Sequence, residues 1–302
     1  MKKQRDKKKK KVSDILSRIA IALMLLVGIA LVLYPTVADM INDSLNNQAI
    51  DAYKGQLLTL DDSKYKTMLK AAQDYNDRLF RSDPYIGALT VEERKEYESL
   101  LNLDSSGMMG YIEVPKSDIY LAVYHGTDEA VLQIGSGHLD SSSLPVPGTS
   151  VHTVLSGHSG LPSARLFTDL DQLKIGDTFK LHILSETLIY EVESIQRVEP
   201  GELKDLRIEQ GKELCTLMTC TPYGINTDRL LVTGHRIETP QAAPSQDSTL
   251  AAAIVTSKWN WWFAFLPAIL FAGIVITVIL IHRRKKMKKQ PDPESREEEI
   301  QS

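Results

Sequence analysis

Cysteine is nearly missing from this sequence: 302 residues hold two, Cys215 and Cys220. A disulfide-stapled scaffold is thereby excluded. Neither Cys-x2-Cys nor His-x3–5-His spacing occurs among plausible ligands, which argues against a zinc centre. No Gly-x-Ser-x-Gly elbow is present, weakening a serine hydrolase. There is no internal repeat and no tight acidic loop of the kind that holds calcium. Hydrophobic residues at 43% and charged residues at 25% exclude a disordered or collagen-like chain.

Net charge is also small, −4, but it is unevenly spread. Residues 1–18 carry nine Lys/Arg and two Asp/Glu, residues 283–302 carry seven and five, and the stretch 19–282 holds 19 basic and 32 acidic residues, a net of −13. An acidic middle repels polyanions, so nucleic acid is not an expected partner. Between tails and middle lie two uncharged runs. Ile19–Tyr34 follows the lysines at 7–11, and its apolar character continues through Pro35 to Ala38. Trp261–Ile281 is 21 residues long, is preceded by Trp259 and is followed at once by Arg283, Arg284, Lys285 and Lys286. A bilayer requires roughly 20 apolar residues, aromatic residues gather at its interfaces, and basic flanks mark the cytoplasmic side. The expected topology puts both tails inside and residues 39–258 outside, in a multi-pass or signal-anchored protein of the cell membrane. The first run reads as a retained anchor, with a signal peptide cleaved near Thr36-Val37-Ala38 as the alternative.

Residues 39–80 read as helix, with Met68, Ala72, Tyr75 and Leu79 forming an apolar stripe. Arg81–Ala88 (RSDPYIGA) breaks it. Thr90 and Glu93 then form a capping box that opens a short helix to about Leu101. From Met109 to Ile237 short β-rich runs recur at 111–114, 119–124, 151–156, 178–184, 188–198, 215–220 and 229–234, separated by Gly, Pro, Asp and Ser clusters. Such a run of short strands, with one or two brief helices of which 165–173 is the best candidate, predicts a closed β-barrel. The expected organisation is a basic tail (1–18), a membrane segment (19–38), a helical region (39–108), the barrel (109–238), a Pro/Ser/Ala-rich linker (239–258), a second membrane helix (259–282) and a cytoplasmic tail (283–302).

The two cysteines lie five apart in ELCTLMTC. On a strand their Cα atoms would be about 16 Å apart and face opposite ways, whereas a disulfide tolerates about 7 Å. At least one free thiol therefore sits in an exported domain. Cys220 ends its strand, the loop TPYGINTD follows, and Arg229 opens the next. If the two strands form a hairpin, thiol and guanidinium face each other, and the cation favours thiolate and a developing oxyanion. His158, in LSGHSGLP, supplies a group to exchange protons, with His138 and His235 as rivals, while His152 and His182 lie within strands and are expected to pack. A Cys-His-Arg set suits nucleophilic acyl transfer. The plainer alternative is a small buried hydrophobe at Cys220 and a solvated Arg229.

TLMTCTPYGINTDRLLV at 216–232 resembles the signature of the sortases, and LSGHSGLP at 155–162 their histidine segment. GYIEVPK, YHGTDEAVL and GHLDSSSLPVPG are similar to stretches of the pilin-polymerising class C subfamily of Gram-positive bacteria. The resemblance implies a mainly β, sortase-type closed β-barrel with N-terminal helices and a lid, flanked by two transmembrane helices. It implies Cys220 as nucleophile, His158 as general acid and Arg229 as transition-state anchor, with Asp83, Pro84 and Tyr85 as a lid over the thiol. It further implies a transpeptidase that cleaves a Leu-Pro-x-Thr-Gly-like signal between Thr and Gly and joins it to a Lys amine of another pilin. Its partners would be pilin or surface-protein sorting signals, the acceptor amine and membrane lipid; no cofactor or metal is called for. Asp228 and Ser159 depart from the residues common at their positions. A housekeeping sortase that anchors proteins to cell-wall peptide is the alternative enzyme, and a non-catalytic membrane-tethered scaffold the alternative of another class.

Overall fold

The computed structural model describes residues 2–82, 89–202 and 204–238. The expected lid residues 83–85, the linker, the second membrane helix and the C-terminal tail lie outside the described residues. The chain forms two compact units, one containing residues 2–29 and the other residues 30–242.

Helix α1 spans Lys2–Leu58. Ile15–Leu58 is the one segment among the described residues that is long and apolar enough to cross a membrane, and none of its most apolar stretch is covered by protein. Met24 is 75% exposed and Val32 73% exposed, so no described residue covers this apolar helix surface, the pattern of a lipid-facing helix. Past Ala38 the helix becomes amphipathic, and Asn46, Ile50 and Tyr53 bury one face.

The single helix expected over 39–80 is in fact two. The chain turns at Thr59–Asp61, where the Asp61 carboxylate accepts from the Ser63 amide, and α2 runs Asp62–Ser82. An aspartate beside the first turn satisfies a donor that the helix leaves orphaned. The stripe in α2 is as expected: Ala72 and Tyr75 are buried, and Met68 and Leu79 pack at its margin. Helix α3, Val91–Ser99, opens with both halves of the Thr90–Glu93 capping box.

Eight strands follow: β1 Met108–Val114, β2 Ile119–His125, β3 Ser136–His138, β4 Val151–Ser156, β5 Thr178–Ile183, β6 Glu186–Val198, β7 Glu213–Thr221 and β8 Asp228–Ile237. They close in the order β1-β2-β3-β4-β7-β8-β6-β5, with β5 returning to β1. The pairs β2/β3 and β4/β7 are parallel and the rest antiparallel. Closure removes the unpaired edges that an open sheet exposes. Alternate residues fill the interior, among them Leu121, Leu181, Tyr190, Leu217 and Val232.

Strand β3 carries no pattern of its own. Ser-Gly-His is ordered by pairing with β2 on one side and β4 on the other. The helix expected at 165–173 is replaced by turns and a short 3-10 segment, Leu170–Gln172. Leu166 takes a left-handed φ of 44°, and the Phe167 amide donates to the His158 carbonyl, so ties to a neighbouring loop override the helical spacing.

The N-terminal helices grip the barrel with two buried asparagines. Asn46 donates to Tyr120 O and accepts from Ala122 N, each at 2.8 Å, along a stretch of β2 not paired by β3. Asn76 of α2 pairs in the same two-bond manner with the Leu144 backbone, at 2.9 and 2.7 Å. A side-chain amide reproduces a strand's donor and acceptor, so the buried peptide groups stay satisfied.

Candidate active site

Strands β7 and β8 form an antiparallel hairpin whose register sets Cys220 opposite Arg229 and Thr221 opposite Asp228. The loop closes through the Pro222 carbonyl, which accepts from the amides of Ile225 (3.1 Å) and Asn226 (2.9 Å). Gly224 and Asn226 supply the positive φ angles of 72° and 61° that this reversal uses. Cys220 and Arg229 are both partly exposed. One guanidinium nitrogen donates to the Asp228 carbonyl at 3.2 Å, and no carboxylate among the described residues lies within ion-pair distance of Arg229. Asp228 therefore touches its neighbour through backbone, and no described carboxylate neutralises the cation.

His158 arrives from the other side of β7. Strand β4 runs parallel to β7 with Ser156 level with Met218. One residue further, the Gly157 amide donates to Met218 O (3.1 Å) and Thr219 Oγ1 donates to Gly157 O (2.7 Å). Continuing that register one step sets His158 level with Cys220, so the three residues come from the ends of three adjacent strands, β4, β7 and β8. Gly157 is required here: a Cβ would lie 2.8 Å from the Phe167 ring. Gly160, at φ +80°, lets the next turn pass under the Tyr223 ring of the β7–β8 loop.

The His158 side chain is 26% exposed, and its buried Nε2 lies 3.4 Å from Glu129 Oε2 on the short helix α4, Glu129–Leu132. The Gln133 amide donates to the other Glu129 oxygen, and that bond together with the nearby imidazole holds the carboxyl below its usual range. Glu129 carries no signal of its own in the sequence, although it lies inside YHGTDEAVL. Thr219, which ties the histidine turn to β7, is visible there only as part of TLMTC.

The rival histidines are placed elsewhere. His138 is fully buried: its Nε2 donates to Ser143 O (2.8 Å), its Nδ1 lies 3.0 Å from the Tyr97 hydroxyl, and burial pushes its pKa down to about 3. His235 pairs with Glu193 at 3.1 Å on the barrel wall, on the Cys215 end of the hairpin. His152 packs as expected, donating from Nδ1 to Arg207 O (2.8 Å) and meeting Thr216 Oγ1 at 2.7 Å, which pins the 199–212 connection against β4. Among the described residues no three His, Cys, Asp or Glu side chains converge as a metal site.

Both cysteines are free. Cys215 lies in the barrel interior, where burial drives its thiol well above the usual value; Cys220 faces the opposite way and is reachable.

The Sortase domain family matches residues 112–237, from within β1 to the last residue of β8, and includes His158, Cys220 and Arg229. Sortase C1 from Streptococcus agalactiae is 49% identical over 64% of this chain and 99% of its own, with a TM-score of 0.62. The sortase C of Clostridium perfringens solved with the C-terminal cell wall sorting motif is 40% identical over 64% and 99%, with a TM-score of 0.56. Among curated relatives, sortase D of Bacillus subtilis (strain 168) is 28% identical over 131 residues, and the match spans 42% of this chain and 63% of that protein's length. With a closed eight-stranded barrel, a family match centred on it and near-complete coverage of class C structures, this chain belongs to the sortase family.

Proposed function

We propose that the chain is a membrane-anchored cysteine transpeptidase that polymerises pilins. The observation that carries the reading is the β7–β8 register, which sets the partly exposed Cys220 opposite the Arg229 guanidinium, with the His158 imidazole just past the end of the neighbouring strand β4. The Cys220 thiolate attacks the Thr carbonyl carbon of a Leu-Pro-x-Thr-Gly-like signal, and the oxyanion forms beside Arg229. The Thr–Gly C–N bond breaks as His158 gives its proton to the departing Gly amine, leaving a thioester on Cys220. A Lys side-chain amine of a second pilin then attacks, His158 takes up its proton, and the thiolate leaves as an isopeptide bond forms. The structure of the Clostridium perfringens relative with the C-terminal cell wall sorting motif supports this substrate class. The similarity to class C sortases supports pilin as acceptor over cell-wall peptide.

Anchoring follows from α1, with the barrel on the extracellular face and the apolar run at 261–281 as a second span. Asp83, Pro84 and Tyr85 form a lid, Asp83 pairing with Arg229 and Tyr85 covering the thiol, which shields it from oxidation. Removing Asp83 or Tyr85 is expected to speed thiol labelling of Cys220; unchanged labelling kinetics would end the lid reading. The central test is intact-mass analysis of the full chain incubated with a sorting peptide. An acyl adduct is expected on the native chain and not on Cys220→Ala, and a native chain that forms none would overturn the transpeptidase.

A further inference from the structure

The apolar run of α1 ends at Ala38, and the contacts of α1 with the barrel's loops begin just after it. Asp39, the first charged residue after that run, accepts the Arg165 amide on Oδ1 at 2.8 Å. Three residues on, Asn42 donates to Gln133 O at 3.2 Å. Both contacts lie in the unit formed by residues 30–242. From there α1 climbs the barrel wall, meeting Tyr120 and Ala122 through Asn46 and Met109 through Tyr53. The wall's ends are thereby ordered: the turn at 161–165 and the α4–β3 corner lie beside the end of the apolar run, and the Met109 level lies farther away.

The candidate rung belongs to the near end. The strand ends at Ser156 and Thr221 point the same way, because β4 and β7 are parallel. The turn after β4 reaches Asp39 through Arg165, and Leu161 pairs with Ala164 so that Gly160 and Arg165 flank one tight reversal. Against Gly160 lies the Tyr223 ring. His158 meets Glu129, one short helix away from the Gln133 carbonyl that Asn42 holds.

This end also exposes apolar side chains that the described residues leave largely uncovered. Tyr223 is 67% exposed, Ile225 69% and Ile134 45%, and on α1 itself Met40 and Ile41 are 51% and 56% exposed. Such a patch beside the exit of a spanning helix matches an interfacial surface, where tyrosine and aliphatic side chains sink to headgroup depth. Nearby charge is acidic, Asp39, Asp43 and Asp118 around Arg165, so attraction to anionic lipid does not drive the contact.

We infer that the rim formed by Tyr223, Ile225 and Ile134 rests on the bilayer surface, so that the Cys220–His158–Arg229 rung opens at the lipid–water boundary and takes polypeptides presented there. The inference rests on the membrane-anchor reading and not on the chemistry of the rung.

The full chain in phosphatidylcholine nanodiscs, in a Cys220→Ala background, tests it with an environment-sensitive fluorophore on Tyr223→Cys, Ile134→Cys or Leu58→Cys. Cys215 is fully buried and stays unlabelled. Leu58 is the reference: it is 89% exposed and lies about 30 Å beyond Ala38 along α1 at a rise of about 1.5 Å per residue. Expected are a blue shift and several-fold stronger quenching by headgroup-proximal doxyl lipid at positions 223 and 134 than at 58. Equal, water-like emission at all three overturns the inference. A blue shift without lipid quenching also overturns it, since protein then covers the rim. Extraction of the chain by alkaline carbonate would instead sink the anchor reading, and this inference with it.

Discussion

The inward and outward rows of β7 are built from similar residues and serve different ends. Inward, Cys215 and Leu217 are completely enclosed among Tyr190, Val232 and their neighbours. Outward, cover thins along the strand: Thr216 is sealed between His152 and Thr233, Met218 is partly covered by Leu206 and Leu231, and Cys220 is open beside Arg229. One strand therefore holds one thiol protonated and inert and offers the other to solvent and to a cation. The contrast teaches that a thiol's exposure and charged surroundings here come from the face and the strand end, since residue type and strand are shared.

Exchanging the two thiols gives the largest effect. Cys220→Ala is expected to abolish adduct and product, whereas Cys215→Ala keeps the chemistry and loses stability, by about 1 kcal/mol for a small core void. Denaturant melts and turnover on both variants decide it. Comparable activity loss in the two would break the comparison between faces.

A second contrast separates His138, enclosed under Tyr97, from His158 at the open rung. Because burial lowers the folded pKa of His138 to about 3, the folded state leaves it unprotonated across a range where the unfolded chain binds a proton. Stability from this group is thus present above the unfolded value of about 6.5 and is lost as pH falls from there toward 3, by up to about 1.4 kcal/mol per pH unit. Thermal melts from pH 7 to 4 should show a flatter acid decline in His138→Gln than in the native chain. Parallel declines would contradict the burial argument.

Much of the fold is legible in residue patterns. The runs at 151–156 and 215–220 alternate and are β-branched or apolar, so local preference and tertiary role agree. The rung is legible too, because a hairpin with this loop length makes Cys220 and Arg229 neighbours by spacing alone. What escapes depends on distant partners. Ser136–His138 is a strand only because β2 and β4 flank it, and Leu166 leaves the helix because the histidine turn claims the Phe167 amide. The break at Thr59–Asp61 hides inside a continuous polar-apolar pattern, since both helices bury the same kind of stripe against the barrel.

Glu129 tests how far the open face extends beyond the rung, and its effect should be the smallest. The carboxylate meets His158 Nε2 at 3.4 Å but is 71% exposed, so water and salt screen it. In the proposed reaction its role is to orient the ring, leaving the other ring nitrogen for proton exchange; Gln133 in turn holds the carboxylate. Glu129→Gln keeps the shape and removes the charge. A drop of about two- to fivefold in kcat with KM unchanged is expected at low salt, shrinking as ionic strength rises. A purely structural side chain would alter stability and leave that salt dependence as in the native chain. If kcat is unchanged at low salt, the open face ends at the three strands, and α4 serves only to carry Gln133 to the N-terminal helix.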